Sequence, residues 1–333
     1  MNNLKKIGLT ALAASLVSTS VFAGELTVSG SASLTAEATT GDQLNAAGAT
    51  GFSQANNIYF TGGGELDNGM TVSLSFELDD GSNSGGATAS AAGVFDNHSV
   101  TVSSDTLGTF TFAGHGGSSA ASALDTTAAG DMWDNFDGLG LGADAVAVSD
   151  SAPGNNSMFY TLPSMVDGLA VSASYKPRGT GRASATGMSA TYTGVEGLSV
   201  SYGVTDIETG VAITSGDQTV MKASYAYGPV TVAYSNSEYD EASTADNDDD
   251  QETTSYNISY TVSDAISVSY GTEEISNGNT TSTQDAEYDG IKASYTSGGM
   301  TISASMMNGD NTTYTTALDE DLEYWGLGLS FAF

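Results

Sequence analysis

The sequence has no cysteine, only 4 prolines in 333 residues, and just 7 lysines and arginines against 40 aspartates and glutamates. Without cysteine there is neither a disulfide framework nor a thiolate metal site, so stability must come from hydrogen-bonded ladders and packing. The shortage of basic residues excludes nucleic acid as a partner. A formal net charge of −33 repels phosphate backbones, and no basic stripe with interleaved aromatics offsets it. Long apolar runs are missing as well: the stretch from Ile7 to Val17 falls short of the roughly 18 residues a membrane helix requires. A chain of this kind that crosses a bilayer does so with strands. At 39% hydrophobic residues, a large conventional core is also hard to build.

What is present begins with the three parts of a secretory leader. Lys5 and Lys6 precede the apolar stretch, and small residues end in Val21-Phe22-Ala23. This predicts cleavage after Ala23, giving a signal peptide over 1–23 and a barrel domain over 24–333. Two of the bases leave with the leader, so five face 40 acids and the mature charge is near −35, which attracts cations.

From Gly24 onward the dominant signal is a period of two. Leu26, Val28, Ala32, Leu34 and Ala36 alternate with Thr27, Ser29, Ser31, Ser33 and Thr35; Met70, Val72, Leu74, Phe76 and Leu78 alternate with Thr71, Ser73, Ser75, Glu77 and Asp79. Such runs predict strands near 26–38, 56–67, 70–80, 95–105, 108–115, 155–165, 168–178 and 181–194, and then 197–208, 217–228, 230–241, 252–263, 266–275, 286–297, 300–310 and 321–333. Tight turns, among them Asp67-Asn68-Gly69, Val195-Glu196-Gly197, Gly228-Pro229 and Ser297-Gly298-Gly299, fall at every second junction, with long polar loops at the others.

These features predict an all-β fold: a sixteen-stranded antiparallel transmembrane β-barrel with short periplasmic turns and long extracellular loops. Lipid offers backbone amides no hydrogen bonds, so only a closed sheet lets strands cross without an unpaired edge. The apolar face then meets lipid, and the hydroxylated face lines a lumen too wide for side chains to fill. Tyr192, Tyr225, Tyr227, Tyr260, Tyr295, Phe331 and Phe333 fall on the apolar parity near the short-turn end. Tyr175, Tyr234, Tyr256, Tyr270 and Trp325 fall nearer the other end. Two such bands mark two membrane interfaces, the alternative being ordinary strand propensity of tyrosine.

The terminal strand Tyr324-Trp325-Gly326-Leu327-Gly328-Leu329-Ser330-Phe331-Ala332-Phe333 and the first strand GELTVSGSASL are similar to those of the sixteen-stranded, trimeric general-diffusion porins of Gram-negative outer membranes, and the likeness covers the mature chain. The resemblance implies a homotrimer in the bacterial outer membrane, in contact with its lipid and lipopolysaccharide. It implies recognition by the outer-membrane assembly machinery through Phe333, and passive diffusion of ions and small hydrophilic solutes with no enzymatic chemistry. It further implies that the third long loop, over 116–153, folds inward as a constriction. That loop carries Asp125, Asp131, Asp134, Asp137 and Asp144 with Trp133 and Phe136.

The sequence departs from the pattern of many relatives, in which a cluster of arginines and lysines faces the acidic loop. No Lys or Arg occurs between Gly24 and Tyr175. The remaining bases are Lys176, Arg178 and Arg182 around the fourth long loop, and Lys222 and Lys292 on the polar parity of strands 10 and 14. The expected constriction set is therefore the five loop aspartates with Glu77, Asp79, Lys222, Lys292, Arg178 and Arg182. The acidic wall positions Glu37, Glu65, Glu77 and Asp79 together with the loop lead us to expect cation preference.

Other constellations carry less. Asp246-Asn247-Asp248-Asp249-Asp250-Gln251-Glu252 offers hard oxygen ligands for a loop-bound calcium ion but lacks the glycine of an EF-hand, and a solvated charge run is the alternative. No other cofactor is expected. Gly138-Leu139-Gly140-Leu141-Gly142 has no following helix and no lysine for a phosphate. His98 and His115 are too few for a metal cluster, and His115 reads as pore lining. The competing functional classes are an adhesin-like secreted surface β-protein or solenoid, which would repeat at a fixed short period, and an outer-membrane hydrolase, which needs a nucleophile with a base in reach.

Overall fold

The computed structural model describes residues 26–41, 50–79, 96–136, 155–178, 184–208, 215–241, 250–278, 284–312, 314 and 321–333. The strands are β1 (Thr27–Gly41), β2 (Thr50–Glu65), β3 (Thr71–Asp79), β4 (His98–Ser104), β5 (Gly108–His115), β6 (Ser157–Thr161), β7 (Leu169–Lys176) and β8 (Ser184–Tyr192). They continue with β9 (Leu198–Glu208), β10 (Gly216–Tyr227), β11 (Val230–Glu241), β12 (Gln251–Ser263), β13 (Ile266–Asn277), β14 (Ala286–Ser297), β15 (Met300–Asp310) and β16 (Asp321–Ala332). Each pairs antiparallel with its sequence neighbours, and β1 closes on β16 to complete the barrel. The seam runs from Ser31 opposite Ala332 to Gly41 opposite Leu322. It ends in a reciprocal pair, Gly30 N to Phe333 O at 2.8 Å and Phe333 N to Gly30 O at 3.0 Å. No helix among the described residues is long and apolar enough to cross a membrane.

One rim carries the tight turns. At Gly228-Pro229 and Gly298-Gly299 the first turn residue has φ of 57° and 60°, a left-handed conformation that glycine adopts without a Cβ clash. The other rim carries the long connections. Strand limits depart from expectation where local chemistry intervenes. β2 begins at Thr50 rather than 56, because 50–55 lacks the alternation yet pairs with Ala38 through Ser33 of β1. β6 stops at Thr161 and β7 at Lys176, each just ahead of a proline (Pro163, Pro177), which cannot donate to a ladder.

The outward face exposes large apolar side chains such as Val200, Ile258, Ile291 and Leu327, and the aromatic residues of both bands point outward with them. Across β11 and β12, the Tyr234 and Tyr256 rings lie 5.1 Å apart. Above the outer aromatic band the alternation inverts on β13–β16. Ile275, Tyr288, Leu322 and Tyr324 point inward and are buried, while Glu274, Glu287 and Glu323 point outward and are exposed. The main buried apolar cluster therefore sits inside the barrel.

Candidate functional site

The connection after β5 turns into the lumen and is read, amide by amide, by inward-facing hydroxyls. Ala120 N donates to Ser174 Oγ of β7 at 2.8 Å, and Ala121 N to Thr205 Oγ1 of β9 at 3.2 Å. Further on, Ala128 N donates to Ser235 Oγ of β11 at 2.8 Å, and Ala129 N to Ser255 Oγ of β12 at 3.0 Å. A loop lifted off the ladder must satisfy its backbone groups somewhere, and the Ser/Thr parity of the wall supplies the partners. Two inward glycines make room: a Cβ on Gly271 would meet Ala129 Cβ at 2.5 Å, and one on Gly203 would meet Ala120 O at 3.2 Å.

The loop carbonyls are held by wall donors. Lys222 Nζ donates to Thr126 O at 2.5 Å, Asn257 Nδ2 to Ala128 O at 2.9 Å, and Lys292 Nζ to Ala129 O at 2.8 Å and Gly130 O at 2.9 Å. Glu273 of β13 is buried beneath the loop and accepts from Thr127 Oγ1 and, at 3.1 Å, from Trp133 N. Asp131 closes a small ring with Thr127: its N donates to Thr127 Oγ1 at 2.8 Å, and its Oδ1 accepts from Thr127 N at 2.9 Å. Met132–Phe136 then forms a 3-10 turn whose Met132 and Phe136 are buried. Phe136 lies 5.4 Å from the Tyr288 ring and 6.2 Å, edge-on, from the Tyr324 ring. Burial of these side chains fixes one edge of the loop against β14–β16.

A second polar cluster sits on β2–β4; β3 is half the ring away from β11. Glu77 is buried and accepts from Asn57 Nδ2 at 2.7 Å, from Tyr59 OH at 2.7 Å and from Asn97 Nδ2. Asn97 Oδ1 also lies 3.1 Å from His115 Nδ1 at the root of the loop, and Asp96 lies 3.9 Å from the same nitrogen. Nearby on the seam, Tyr324 OH donates to Glu37 Oε2 at 3.0 Å. This wall carries carboxamides, a phenol and a carboxylate.

The structure brings Asp131, Asp134 and Lys292 to a recess of about 600 Å³ under the loop, floored by serines. Lys222 also meets the loop, so both polar-parity lysines touch it directly rather than facing it across open water. Asp125 is half-buried on the same loop, and Asp79 is exposed at the end of β3. Arg178 is exposed two residues past β7, at the long-loop rim. Asp137, Asp144 and Arg182 lie outside the described residues, as do Asp246 to Asp249 of the acidic run and Gly138 to Gly142. Of that run's described members, Asp250 accepts from Glu241 N at 2.7 Å and Glu252 accepts from Asn236 Nδ2 at 2.7 Å, so both are engaged in the ladder ends.

Sequence reasoning missed Glu273, the residue bonded to the loop at two points, as well as Asn57, Asn97, Tyr288 and Tyr324. The inverted alternation of β13–β16 was the available signal. An apolar residue on the wet parity above the membrane requires something inside the lumen to cover it.

A family model described as Gram-negative porin matches residues 8–333. No match was found among curated proteins. Among solved structures, a porin refined at 1.8 Å is 19% identical, with a TM-score of 0.64 over 93% of this chain and 100% of that one. An anion-selective porin from Comamonas acidovorans is 14% identical, with a TM-score of 0.65 over 93% of this chain and 99% of that one. A Rhodopseudomonas blastica porin variant is 17% identical, with a TM-score of 0.62 over 93% and 100%. These likenesses confirm the sixteen-stranded barrel fold. With the family match spanning nearly the whole sequence, the chain belongs to the Gram-negative porins, the β-barrel channels of the outer membrane.

Proposed function

We propose that this porin passes ions and small hydrophilic solutes by passive diffusion, prefers cations, and performs no chemistry. The single observation that carries the sign of the preference is the fate of the lumenal lysines. Each keeps its positive charge but lies against loop carbonyls, Lys222 at one and Lys292 at two, while the carboxylates of Asp131 and Asp134 at the adjoining recess and of Glu77 on the far wall outnumber them. The excess of fixed negative charge raises the local cation concentration in a narrow aqueous passage. The barrel alone does not set the sign, since a neighbour of the same fold is an anion-selective porin. Side chains at the narrowing decide it.

The constriction in this reading comprises the loop aspartates Asp125, Asp131, Asp134, Asp137 and Asp144, with Glu77 and Asp79. Lys222 and Lys292 tether the loop, and Arg178 and Arg182 complete the expected set. From the family resemblance we add a homotrimer, removal of the leader over 1–23, contacts with lipopolysaccharide, and Phe333 as the residue read by the assembly machinery. The test is the zero-current potential of the refolded protein in a planar bilayer across a potassium chloride gradient. Cation preference is the expected sign, and anion preference overturns the reading.

A further inference from the structure

We propose that the recess beneath the third loop is a weak binding subsite for basic α-amino acids, an inference that rests on the pore reading above and deepens it. At about 600 Å³ the recess falls in the size range of small-molecule pockets, roughly 300–1,000 Å³. Its lining combines both signs of charge: Asp131 and Asp134 from the loop, and Lys292 from β14. Inward hydroxyls of Ser269, Ser294 and Ser305 form a neutral floor that replaces water without favouring either sign.

The charged groups are placed before any solute arrives. Asp131 sits at φ 49°, and its ring of bonds with Thr127 fixes where its carboxylate points. Lys292 gives two of its three N–H donors to Ala129 O and Gly130 O, which leaves one donor by valence for a solute carboxylate. A lone anion meets two carboxylates here, and a lone cation meets the ammonium. Two carboxylates and one ammonium are the complement of a solute with two cationic groups and one carboxylate, which is the charge pattern of arginine or lysine. A guanidinium also offers the planar fork that pairs with a carboxylate in two bonds. Binding must stay weak, because a channel site that holds its solute too long stops conduction.

The probe is L-arginine, added at millimolar concentrations to reconstituted channels carrying potassium chloride current, with L-citrulline as the isosteric comparator that lacks the side-chain charge. Arginine is expected to lower the current or add excess noise with saturation in the millimolar range, and citrulline to act at least about fivefold more weakly. Asp131→Asn combined with Asp134→Asn should weaken the arginine effect by a similar factor. Because those changes also touch the loop, Ser269→Leu provides a second variant that fills the recess from the wall and should abolish saturation. Arginine and citrulline acting alike, or an arginine effect unchanged in both variants, overturns the subsite. Absence of any open-channel current overturns the pore reading itself, so the two failures are distinguishable.

Discussion

Trp133 N on the third loop donates a hydrogen bond to Glu273 Oε2 on β13 at 3.1 Å, joining residues from opposite halves of the chain. The same carboxylate accepts from Thr127 Oγ1, so one buried side chain holds the loop at two points on either side of Asp131. Glu273→Ala leaves two donors unpartnered beneath the loop, at a cost of roughly 1–3 kcal/mol in loop docking. The barrel ladder is untouched. The expected outcome is a folded, heat-modifiable barrel with larger and noisier single-channel conductance; unchanged conductance and noise would refute the tether.

Lys222 and Lys292 bond carbonyls rather than carboxylates. Replacing both with glutamine keeps an amide donor within reach of the loop and removes two positive charges from the lumen. Cation preference should therefore rise, read as a larger zero-current potential in a salt gradient. A fall in preference would mean that loss of the tether outweighs the charge.

Glu77 receives three donors, from Asn57, Tyr59 and Asn97. Glu77→Gln replaces an acceptor-only group with one that brings its own N–H₂, so at least one of the three donors loses its partner. We expect weaker cation preference together with a lower unfolding midpoint in urea. A variant with wild-type ion preference would remove Glu77 from the constriction.

Outward-facing acids oppose one another directly across the upper strands: Glu274 faces Glu287, which in turn faces Asp310. Like charges in directly opposed cross-strand positions are destabilising. Glu287→Lys turns two repulsive pairs into attractive ones, each worth about 0.2–1 kcal/mol. The heat-modifiability midpoint of the variant should rise at low ionic strength, with the gain shrinking as salt is added.

Burial raises the pKa of Tyr314, on the connection after β15, from the usual 10.0 to about 12. Its hydroxyl accepts from Gln251 Nε2 at 2.9 Å, and its ring belongs to the lumenal cluster with Phe136. A raised pKa in the folded state means that the neutral phenol is favoured there. Its contribution is fully present below pH 10 and is lost as pH rises from 10 towards 12. Tyrosinate absorbance of Tyr314→Phe minus wild type should show the loss of one tyrosine titrating near pH 12, and channel noise should increase over that window in the wild type alone.

The barrel was legible because lipid and water impose the period of two along every strand, as in Leu26 to Ala36 and Met70 to Asp79. The inward path of the third loop was anticipated from family likeness, and the polar parity of Lys222 and Lys292 could be read from their strands. What was not legible is which wall residues would hold the loop. Ser174, Thr205, Ser235 and Ser255 are indistinguishable in sequence from dozens of other lumenal hydroxyls, because their role depends on where a loop distant in sequence lies. Glu273 was hidden for the same reason. The inversion at Ile275, Tyr288, Leu322 and Tyr324 was readable, and it marks where the lumen changes from wet to filled.

The seam between β1 and β16 has a consequence for folding. β1 pairs with β16 as far as Gly30 and Phe333, so β1 gains its second ladder only when β16 docks on it. Until then the sheet carries two raw margins of unpaired amides, which neither hydrocarbon nor another copy of itself can safely receive. Closure is thus one joining event between β1 and β16, and loss of Phe333 strips the join of its outermost pair of bonds.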